Sequence, residues 1–424
     1  MTRLRRGGAL LATRIHLPEA AAAAFRLDGV ERALASHGVP VRVLTTTVPG
    51  REGAPAPQIK DPQGVSVSRW PVLRDASGYL RGYLPYLSFD LPLVLRLGMT
   101  PRPDVVLVEP PPTTGAVART VCTLRRTPYV WYAPDVWSDA AASTGVPGAV
   151  VRVLRAIESY AVRGAHSVIA INEDVAERMR ALGARNVVVI PNGIDTSLFE
   201  PSGPIPTRGE REAMGITGPY LVYAGTASEW QGADIFVLAL AQVRREHPSA
   251  QILYIGQGSD WEKIASAASA LPLGPDGSPA VVMHDLMAPE DAARWQRGAA
   301  ACLVSLRPGQ GYDFAYPTKV LAALACGVPV VYAGVGPVVD AGVGPVIQDL
   351  ADHDLGWAAS YTQEDVARAM TRALEAAAEL EAASPEDGAA AARAGRLHDW
   401  VRKNRSLAAT GESVARRLRT VVRG

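Results

Sequence analysis

The segment Arg307–Asp340, RPGQGYDFAYPTKVLAALACGVPVVYAGVGPVVD, contains the pattern from which we interpret the rest of the chain. Within it, Thr318–Ala325 predicts a short helix, Gly327 ends that helix, and Val328–Val331 is typical of a buried strand. The helix begins directly after a loop, so its first backbone N–H groups are free, and Lys319 adds a full positive charge to its first turn. This combination predicts a binding site for a diphosphate.

The same segment also fits an ordinary strand–helix–strand crossover in which Lys319 is merely solvated. The residues between the strand and the helix favour a ligand site, because they include two Tyr, a Phe, two Gly and an Asp. In open α/β sheets, ligands bind at such turns, beyond the carboxyl ends of the strands.

Size and composition predict a folded protein of more than one domain. At 424 residues the chain is longer than one hydrophobic core usually serves. Its 43 basic and 42 acidic side chains leave almost no net charge, which argues against nucleic acid as a partner. A hydrophobic content of 48% with 20% charged residues is typical of a globular protein.

The three cysteines, Cys122, Cys302 and Cys326, lie far apart and follow no CxxC or histidine spacing. They predict neither a disulfide framework nor a structural metal, and they fit a reducing cytoplasm. The N-terminal arginines and the apolar run after them resemble a signal peptide, but Arg14 and His16 interrupt that run, and we interpret it as a first strand. No apolar stretch is long enough to span a membrane.

The chain begins as a parallel α/β sheet, with a strand at Ala9–Ile15, a helix at Ala20–His37 and a second strand at Val41–Thr45. The loop after the first strand then lies at the edge where ligands collect. Candidate binding residues in and after this loop are Glu19, Phe25 and Arg26. For Arg26, an exposed position on the helix surface is the alternative.

The segment Tyr79–Leu97 is strongly apolar, and Pro85 and Pro92 are expected to kink or split any helix in it. A segment of this kind usually belongs to the core. Its aromatic and basic residues also suit a membrane surface, which would matter for a ligand attached to a lipid.

Two carboxylates directly follow successive predicted strands: Glu109 after Asp104–Val108, and Asp135 after Tyr129–Tyr132. Both therefore lie on the edge of the sheet where chemistry is expected. Either carboxylate is equally suited to capping a helix. Trp137, beside Asp135, offers an apolar platform for a ring of the ligand.

A stretch rich in Pro, Gly, Ser and charge, residues 201–218, predicts a linker. A second α/β series begins at Tyr220–Ala224 and continues through Gln251–Ile255 and Ala301–Ser305 to the opening segment. The Gly-x-Gly at Gly256–Gly258 lacks the third glycine and the acidic residue of a dinucleotide fingerprint, so it is weak evidence for NAD.

Several stretches resemble the retaining glycosyltransferases of family four, in particular bacterial enzymes that use nucleotide-activated amino sugars in surface-polysaccharide assembly. The matching stretches are Leu17-Pro18-Glu19 with Phe25-Arg26, Asp135-Val136-Trp137, Ile190 to Asp195 with Phe199, Tyr223-Ala224-Gly225, Gln231-Gly232, and the Pro-x-Lys and Ala-x-Gly-x-Pro-Val-Val of the opening segment. The resemblance implies the GT-B fold, an α/β fold with two Rossmann-like domains facing across a cleft.

The resemblance also implies donor contacts, from which this chain departs. Many members of the family have Arg and Lys where this chain has Thr226 and Gln231, and paired glutamates where it has Phe314 and Ala322. Donor-binding residues are expected at Gly225, Thr226, Gln231, His284, Arg307, Asp313, Tyr316, Thr318 and Lys319. Acceptor-binding residues are expected at Glu19, Phe25, Arg26 and Trp137, and catalytic carboxylates at Asp135 and Glu109.

Four parts are predicted along the chain: an acceptor domain at 1–199, a linker at 200–218, a donor domain at 219–395, and a C-terminal helix at 396–424 that returns to the first domain. Domain closure is expected to exclude water from the reaction.

As implied by the resemblance, the function is transfer of a hexosyl or N-acetylhexosaminyl group to an acceptor hydroxyl with retention. The donor is a nucleoside diphosphate sugar, a UDP-sugar in the first instance, and the acceptor is a small molecule, a glycan or a lipid-linked sugar. The expected setting is surface-glycan or secondary-metabolite biosynthesis in the cytoplasm, including the inner face of the membrane. No metal and no further cofactor are predicted. A catalytically silent relative that binds a sugar nucleotide or a partner protein, and a sugar-nucleotide epimerase, are the alternatives.

Overall fold

The computed structural model describes residues 7–19, 21–48, 61, 63–74, 80, 82–143, 146–310, 315–334, 345–383 and 388–422. Up to residue 189 the elements are β1 Ala9–Ala12, α1 Ala22–Ser36, β2 Val41–Thr46, β3 Val65–Trp70, α2 Tyr83–Met99, β4 Val105–Val108, α3 Pro112–Leu124, β5 Tyr129–Ala133, α4 Trp137–Ser143, α5 Gly148–Gly164, β6 Ser167–Ala170, α6 Glu173–Ala181 and β7 Val187–Val189.

The remaining elements are α7 Arg208–Ala213, β8 Tyr220–Ala224, α8 Asp234–Val243, β9 Gln251–Ile255, α9 Trp261–Ser269, β10 Val281–His284, α10 Pro289–Arg297, β11 Ala301–Ser305, α11 Thr318–Ala325, β12 Val330–Gly334, α12 Pro345–His353, β13 Gly356–Ser360, α13 Gln363–Ala382, α14 Ala389–Asn404 and α15 Leu407–Val421.

The chain forms two compact units. The first unit comprises Met1–Gly193 and Leu407–Gly424, and the second unit comprises Ile194–Ser406. These bounds differ from the predicted domains at both junctions, because residues 194–199 and 396–406 belong to the second unit. The C-terminal part is also two helices rather than one. The first, α14, packs on α11 within the second unit, and α15 packs on α1 within the first.

Each unit contains one sheet in which every strand pair is parallel, as the alternating strand and helix pattern predicts. The first sheet has the strand order β3-β2-β1-β4-β5-β6-β7, and the second has β10-β9-β8-β11-β12-β13. Ala9 pairs with both Val41 and Val105, so β1 lies between β2 and β4. The order of strands therefore reverses at β1/β4 in the first unit and at β8/β11 in the second. In sheets of this type, ligands bind at that reversal.

The cores lie on the faces of the two sheets, under the helices. In the second unit, Tyr223, Phe236 and Tyr254 pack on one face, and Tyr220 and Trp295 pack on the other. Strands that are buried on both faces explain the continuous apolar runs in the sequence.

Of the predicted kink or split in the Tyr79–Leu97 segment, the split is wrong, because α2 runs continuously through both prolines. Pro85 lies in the first turn, where a backbone N–H has no helical partner in any case. Pro92 lies inside the helix, where packing outweighs its local penalty: Phe89, Leu93 and Leu97 recur on one buried face.

The predicted linker, residues 200–218, is also folded. It contains α7, which opens with a capping box in which the Thr207 side chain accepts from the Glu210 N–H and the Glu210 carboxylate accepts from the Thr207 N–H. An ion pair between Glu210 and Arg294 fixes α7 to α10. The first predicted strand is shorter than expected, because the Thr13 hydroxyl bonds to the backbone of Ile15 and turns the chain after Ala12.

Candidate functional site

Lys319 lies at the strand reversal of the second unit. From the first turn of α11 its ammonium reaches back over the end of β8, where Nζ donates to Tyr223 Oη at 2.8 Å and to the Thr226 carbonyl oxygen. Nζ also lies 4.5 Å from the centroid of the Tyr223 ring. Gly225 leaves the space for this path, since a Cβ there would lie 2.7 Å from Lys319 Cε. Gly225, Thr226 and Lys319, three of the predicted donor residues, are thus in contact.

The charge on Lys319 is poorly compensated. Among the described residues, no carboxylate lies within salt-bridge distance of its Nζ, and burial lowers the pKa of the ammonium to about 7. The N-cap residue of α11, Pro317, makes no side-chain cap, and the side chain of Thr318 is exposed. The free N–H groups of α11, the positive end of its helix dipole and the Lys319 ammonium therefore lie together, and all three favour binding of an anion there.

Backbone hydrogen bonds hold the loops after β8 and β9 rigidly beside Lys319. The Ala227 N–H donates to the Gln257 carbonyl at 2.9 Å, and the Gly256 N–H donates to the His284 carbonyl at 2.9 Å. Gly256 has a φ of 147°, and a Cβ there would lie 2.2 Å from the Gly225 carbonyl oxygen. The Gly-x-Gly of the sequence thus serves close packing of two loops, as its incomplete fingerprint indicated.

Three other predicted donor residues have their side chains committed elsewhere. Gln231 is buried, and its Oε1 accepts from the Ser228 N–H at 2.9 Å, so the side chain closes its own turn. Arg307 Nη2 donates to Asp234 Oδ1 at 3.0 Å, and Asp234 also pairs with a lysine. His284 ends β10, two strands from β8, and its Nδ1 lies 2.8 Å from the Asp285 carbonyl oxygen.

Tyr316 takes part in a polar cluster that joins α12 to the turn between α14 and α15. Its hydroxyl donates to Asp349 Oδ2 at 2.9 Å, and Arg405 Nη2 donates to the same oxygen at 2.7 Å. The Arg405 guanidinium also covers the Tyr316 ring at 4.6 Å. Tyr316 therefore fixes the loop that precedes α11. Asp313, the last predicted donor residue, lies outside the described residues.

In the first unit, a cavity of about 200 Å³ lies at the β1/β4 reversal. Among the residues that line it are the predicted Arg26, Glu109, Asp135 and Trp137, together with Arg14. The prediction that two carboxylates after successive strands lie at one edge is confirmed in position, since both line the same cavity.

Arg26 and Glu109 form a buried ion pair. Arg26 Nη2 lies 2.9 Å from each Glu109 carboxylate oxygen, and Nε lies 3.2 Å from Oε1. Both side chains are buried, so the alternative of an exposed Arg26 is wrong. Burial raises the pKa of Glu109, and the Arg26 guanidinium opposes this by favouring the carboxylate. Because both of its oxygens are occupied, Glu109 is better suited to holding Arg26 than to acting as a base.

Asp135 differs from Glu109, because its Oδ1 is buried without a hydrogen-bond partner among the described residues. Burial and, to a lesser extent, the neighbouring Glu158 raise the pKa of Asp135 to about 6. The Glu158 carboxylate accepts the Trp137 and Ser138 N–H groups at 2.9 and 3.0 Å and so caps α4. Asp135 is consequently the carboxylate of this cavity with a free oxygen and a pKa close to neutrality.

Of the remaining predicted acceptor residues, Trp137 lines the cavity, whereas Glu19 and Phe25 are not among the residues that line it. Trp137 lines the cavity and packs edge-on against Tyr86, with ring centroids 5.9 Å apart. Glu19 pairs with Arg74 at 3.0 Å. Phe25 is 45% exposed and is not among the residues that line the cavity.

Arg14 is a charged residue of this cavity that the sequence analysis did not select. It lies two residues after the end of β1, at the same edge as Glu109 and Asp135. In the sequence it served only to interrupt an apolar run, although its position at the end of a first parallel strand was the available signal.

The described residues contain neither a metal-binding cluster nor a helix that could span a membrane. They contain no group of three or more His, Cys, Asp or Glu side chains that could hold a metal ion. Within the same ranges, every helix is too short or too polar to cross a bilayer.

Comparison with known proteins agrees with two Rossmann-like units. Residues 22–193 match the family model described as a glycosyl transferase 4-like domain, and residues 218–376 match the model described as glycosyl transferases group 1. These consecutive matches span most of the chain, which therefore belongs to the glycosyltransferases with the GT-B fold.

One curated relative is the D-inositol 3-phosphate glycosyltransferase of Segniliparus rotundus, 28% identical over 246 residues. That alignment covers 58% of this chain and 49% of the relative, so the chain spans about half the length of the curated relative it matches.

Solved structures share the fold over nearly the whole chain. Sucrose-phosphate synthase from Thermosynechococcus elongatus superposes with a TM-score of 0.70 at 16% identity, covering 98% of this chain and 99% of that one. Anabaena HepE in complex with UDP and glucose gives 0.65 at 15% identity, covering 97% and 99%. At these identities the likeness shows the fold and confirms the GT-B prediction.

Proposed function

We propose that this chain transfers a sugar from a nucleoside diphosphate sugar to an acceptor hydroxyl, with retention of configuration. The observation that supports this most is the arrangement of Lys319 over Gly225 at the uncapped start of α11. It provides a cation and helix N–H groups with no competing carboxylate among the described residues, which is what a diphosphate requires. HepE, whose fold this chain shares, has been solved with UDP and with UDP-glucose, and this supports a UDP-sugar as donor.

In the proposed reaction, the bond from the sugar C1 to the diphosphate oxygen breaks, and a bond from C1 to the acceptor oxygen forms on the same face. The diphosphate leaves with the electron pair of the broken bond. Lys319 and the α11 N–H groups stabilise the charge that grows on it. Binding the anion also restores the proton to Lys319, because a neighbouring opposite charge raises the pKa of an ammonium.

Asp135 is the proposed acceptor-side carboxylate. It takes a hydrogen bond from the acceptor hydroxyl and receives its proton as the new bond forms. Arg26 and Glu109 are assigned a supporting role, in which their buried pair fixes the cavity wall beside Asp135. Trp137 supplies an apolar surface for the acceptor ring.

A specific observation favours one alternative, a silent relative that only binds a sugar nucleotide. Gln231 occupies the family's lysine position and is turned into its own loop, which leaves Lys319 as the cation at this place among the described residues. Turnover of a donor would exclude a silent protein. Conversion of the donor sugar without an acceptor would favour an epimerase.

The test is a matched set of titrations and activity assays. UDP, UDP-glucose and UDP-N-acetylglucosamine are titrated into wild type, Lys319→Met and the control Lys403→Met, whose lysine is exposed on α14. Release of UDP from each sugar nucleotide is then measured with and without glycan and lipid-linked acceptors. We expect binding and release in wild type and in the control and a loss of about tenfold or more in Lys319→Met. Absence of binding in wild type would contradict the proposal.

The exposed face of α2 supports the further proposal that the protein works at the cytoplasmic surface of a membrane. Leu84, Leu87, Leu91 and Leu95 recur at helical spacing and are between 43% and 70% exposed. Two exposed arginines, Arg102 and Arg126, lie near the C-terminal end of this helix, where the Arg102 guanidinium donates to the Arg126 carbonyl oxygen. An apolar stripe with basic residues beside it suits a bilayer that contains anionic lipid, and hence a lipid-linked acceptor in surface-glycan assembly.

A further inference from the structure

We infer that Arg14 forms a subsite for an oxyanion, so that the sugar or polyol ring of the acceptor that binds in this cavity bears a phosphate or carboxylate group. The inference rests on the proposed function, since it treats the cavity of the first unit as the acceptor site. It goes further by naming the chemical class of the acceptor.

The loop that contains Arg14 is fixed before any ligand binds. The Arg14 carbonyl oxygen accepts a hydrogen bond from Thr46 Oγ1 at 2.9 Å, and the hydroxyl of the preceding Thr13 donates to the Ile15 carbonyl oxygen. The guanidinium stacks on Tyr86, with Cζ 4.0 Å from the ring centroid, and lies 5.8 Å from the centroid of the Trp137 ring. Aromatic groups thus hold the cation at the wall of the cavity.

The guanidinium of Arg14 is nevertheless poorly satisfied. It is buried, and among the described residues its hydrogen bond to the backbone is a long contact of 3.5 Å from Nη2 to the Pro110 carbonyl oxygen. Nε and Nη1 have no hydrogen-bond partner in the described part of the chain. A guanidinium has five N–H donors, and leaving buried donors without acceptors is costly.

Arg26, which lines the same cavity, differs from Arg14 because a carboxylate compensates its charge. Three short bonds tie it to Glu109, and both Glu109 oxygens are used in doing so. The acidic group nearest to Arg14 on α2, Asp90, is buried and accepts from the Thr114 hydroxyl, but it forms no ion pair with Arg14 among the described residues. Among the described residues, Arg14 therefore has no carboxylate at ion-pair distance, although Asp90 and Glu109 act on its charge over a longer range.

The dimensions of the cavity limit what the partner is. About 200 Å³ lies below the roughly 300–1,000 Å³ of sites for drug-sized ligands, so the cavity suits one ring with one small substituent. Asp135 supplies a carboxylate for a hydroxyl, and Trp137 supplies an apolar wall. A ring with a hydroxyl for Asp135 and an oxyanion for Arg14 satisfies both groups at once.

The inference is tested by titration calorimetry on the full chain. The probes are the 6-phosphates of glucose, fructose and mannose, together with glucuronate, free glucose and inorganic phosphate. Each is titrated into wild type, Arg14→Gln and Arg14→Lys. The control is Arg96→Gln, which removes another buried arginine of the first unit, one that donates to the carbonyl oxygens of Thr45 and Ser68. Repeating the titrations with Lys319→Met removes the signal of the diphosphate site.

We expect wild type to bind at least one anionic sugar about tenfold or more tightly than free glucose. That preference disappears in Arg14→Gln, returns in part in Arg14→Lys and survives in Arg96→Gln and Lys319→Met. The phosphate and carboxylate probes distinguish the two kinds of oxyanion. A wild type without such a preference, or a preference that Arg14→Gln leaves unchanged, would overturn the inference.

The calorimetric result is independent of turnover. If wild type neither binds nor hydrolyses a UDP-sugar, the proposed function fails, whereas the preference for anionic sugars still decides the role of Arg14. In an active protein, a subsite role predicts that Arg14→Gln raises KM for the anionic acceptor much more than it lowers kcat. A merely structural role would instead lower Tm and reduce kcat as well.

Discussion

Replacing Lys319 with Met is expected to stabilise the ligand-free protein while it abolishes donor binding. The pKa of Lys319 falls from 10.5 to about 7 on burial. A shift of this size corresponds to about 5 kcal/mol if the ammonium is sealed from water. Because Lys319 is only half-buried, we expect about 2 kcal/mol, or about 4–8 °C in the Tm of the second unit. Met retains the apolar stem, and Tyr223 Oη still donates to the Thr226 carbonyl.

The lowered pKa of Lys319 determines how the stability gain of Lys319→Met changes with pH. Between pH 7 and 10.5 the unfolded chain holds a proton on Lys319 that the folded chain releases, so wild-type stability rises with pH in that window. The gain from Lys319→Met is therefore complete at and below about pH 7 and declines toward zero near pH 10. Urea denaturation of both proteins at about pH 6, 7.5 and 9 measures it, with Lys403→Met as the neutral control.

Two results would refute this reasoning. If Lys319→Met is less stable than wild type at neutral pH, the ammonium is compensated and has no unmet need for an anion. If the variant is more stable but binds UDP as wild type does, the lysine is desolvated for a reason unrelated to the donor. A variant that gains stability and loses binding excludes misfolding as the cause of its inactivity.

Three further predictions follow from the first unit. The pKa of Asp135 is about 6, and its ionised form accepts the proton, so kcat/KM should fall about tenfold per pH unit below that value. Asp135→Asn should lower the rate by about 10² to 10⁴ and show no such pH dependence. Arg26→Met should cost about 3–5 kcal/mol in urea denaturation by leaving Glu109 charged and unpaired, and adding Glu109→Gln should recover part of it. Replacing Leu87 and Leu91 with Ser should abolish sedimentation with vesicles of anionic lipid, while the two substitutions together change the stability by no more than about 1 kcal/mol. Unchanged sedimentation would exclude α2 as the contact.

The fold was largely predictable because its determinants are local. Strands such as β8 and β9 are apolar on both faces, so their bounds coincide with the apolar runs, and glycines such as Gly38 and Gly327 end helices with a positive φ. The continuous α2 was not predictable in the same way. Its prolines argue locally for a break, and only the packing of Phe89 and Leu93 shows why the helix persists.

Positions in the sites were predictable, but the partners of the side chains were not. Because Glu109 and Asp135 each follow the end of a parallel strand, the sequence alone was enough to predict that both lie at one edge of the sheet. Nothing in the sequence distinguishes them, because their difference arises from Arg26, which is distant in sequence and pairs with one carboxylate alone. The same holds for Arg307, whose acidic partner Asp234 opens a helix far from it in the chain.

The two strand reversals share a feature that separates binding groups from structural ones. At each reversal, the described residues include cations with a carboxylate partner, Arg26 in the first unit and Arg307 in the second. Each reversal also has one half-buried or buried cation without such a partner, Arg14 and Lys319 respectively. A buried charge without a partner is destabilising, so its retention at a ligand-binding edge is best explained by an anion that binds there. On this argument the paired arginines shape the walls, and the unpaired cations select an anionic donor and an anionic acceptor.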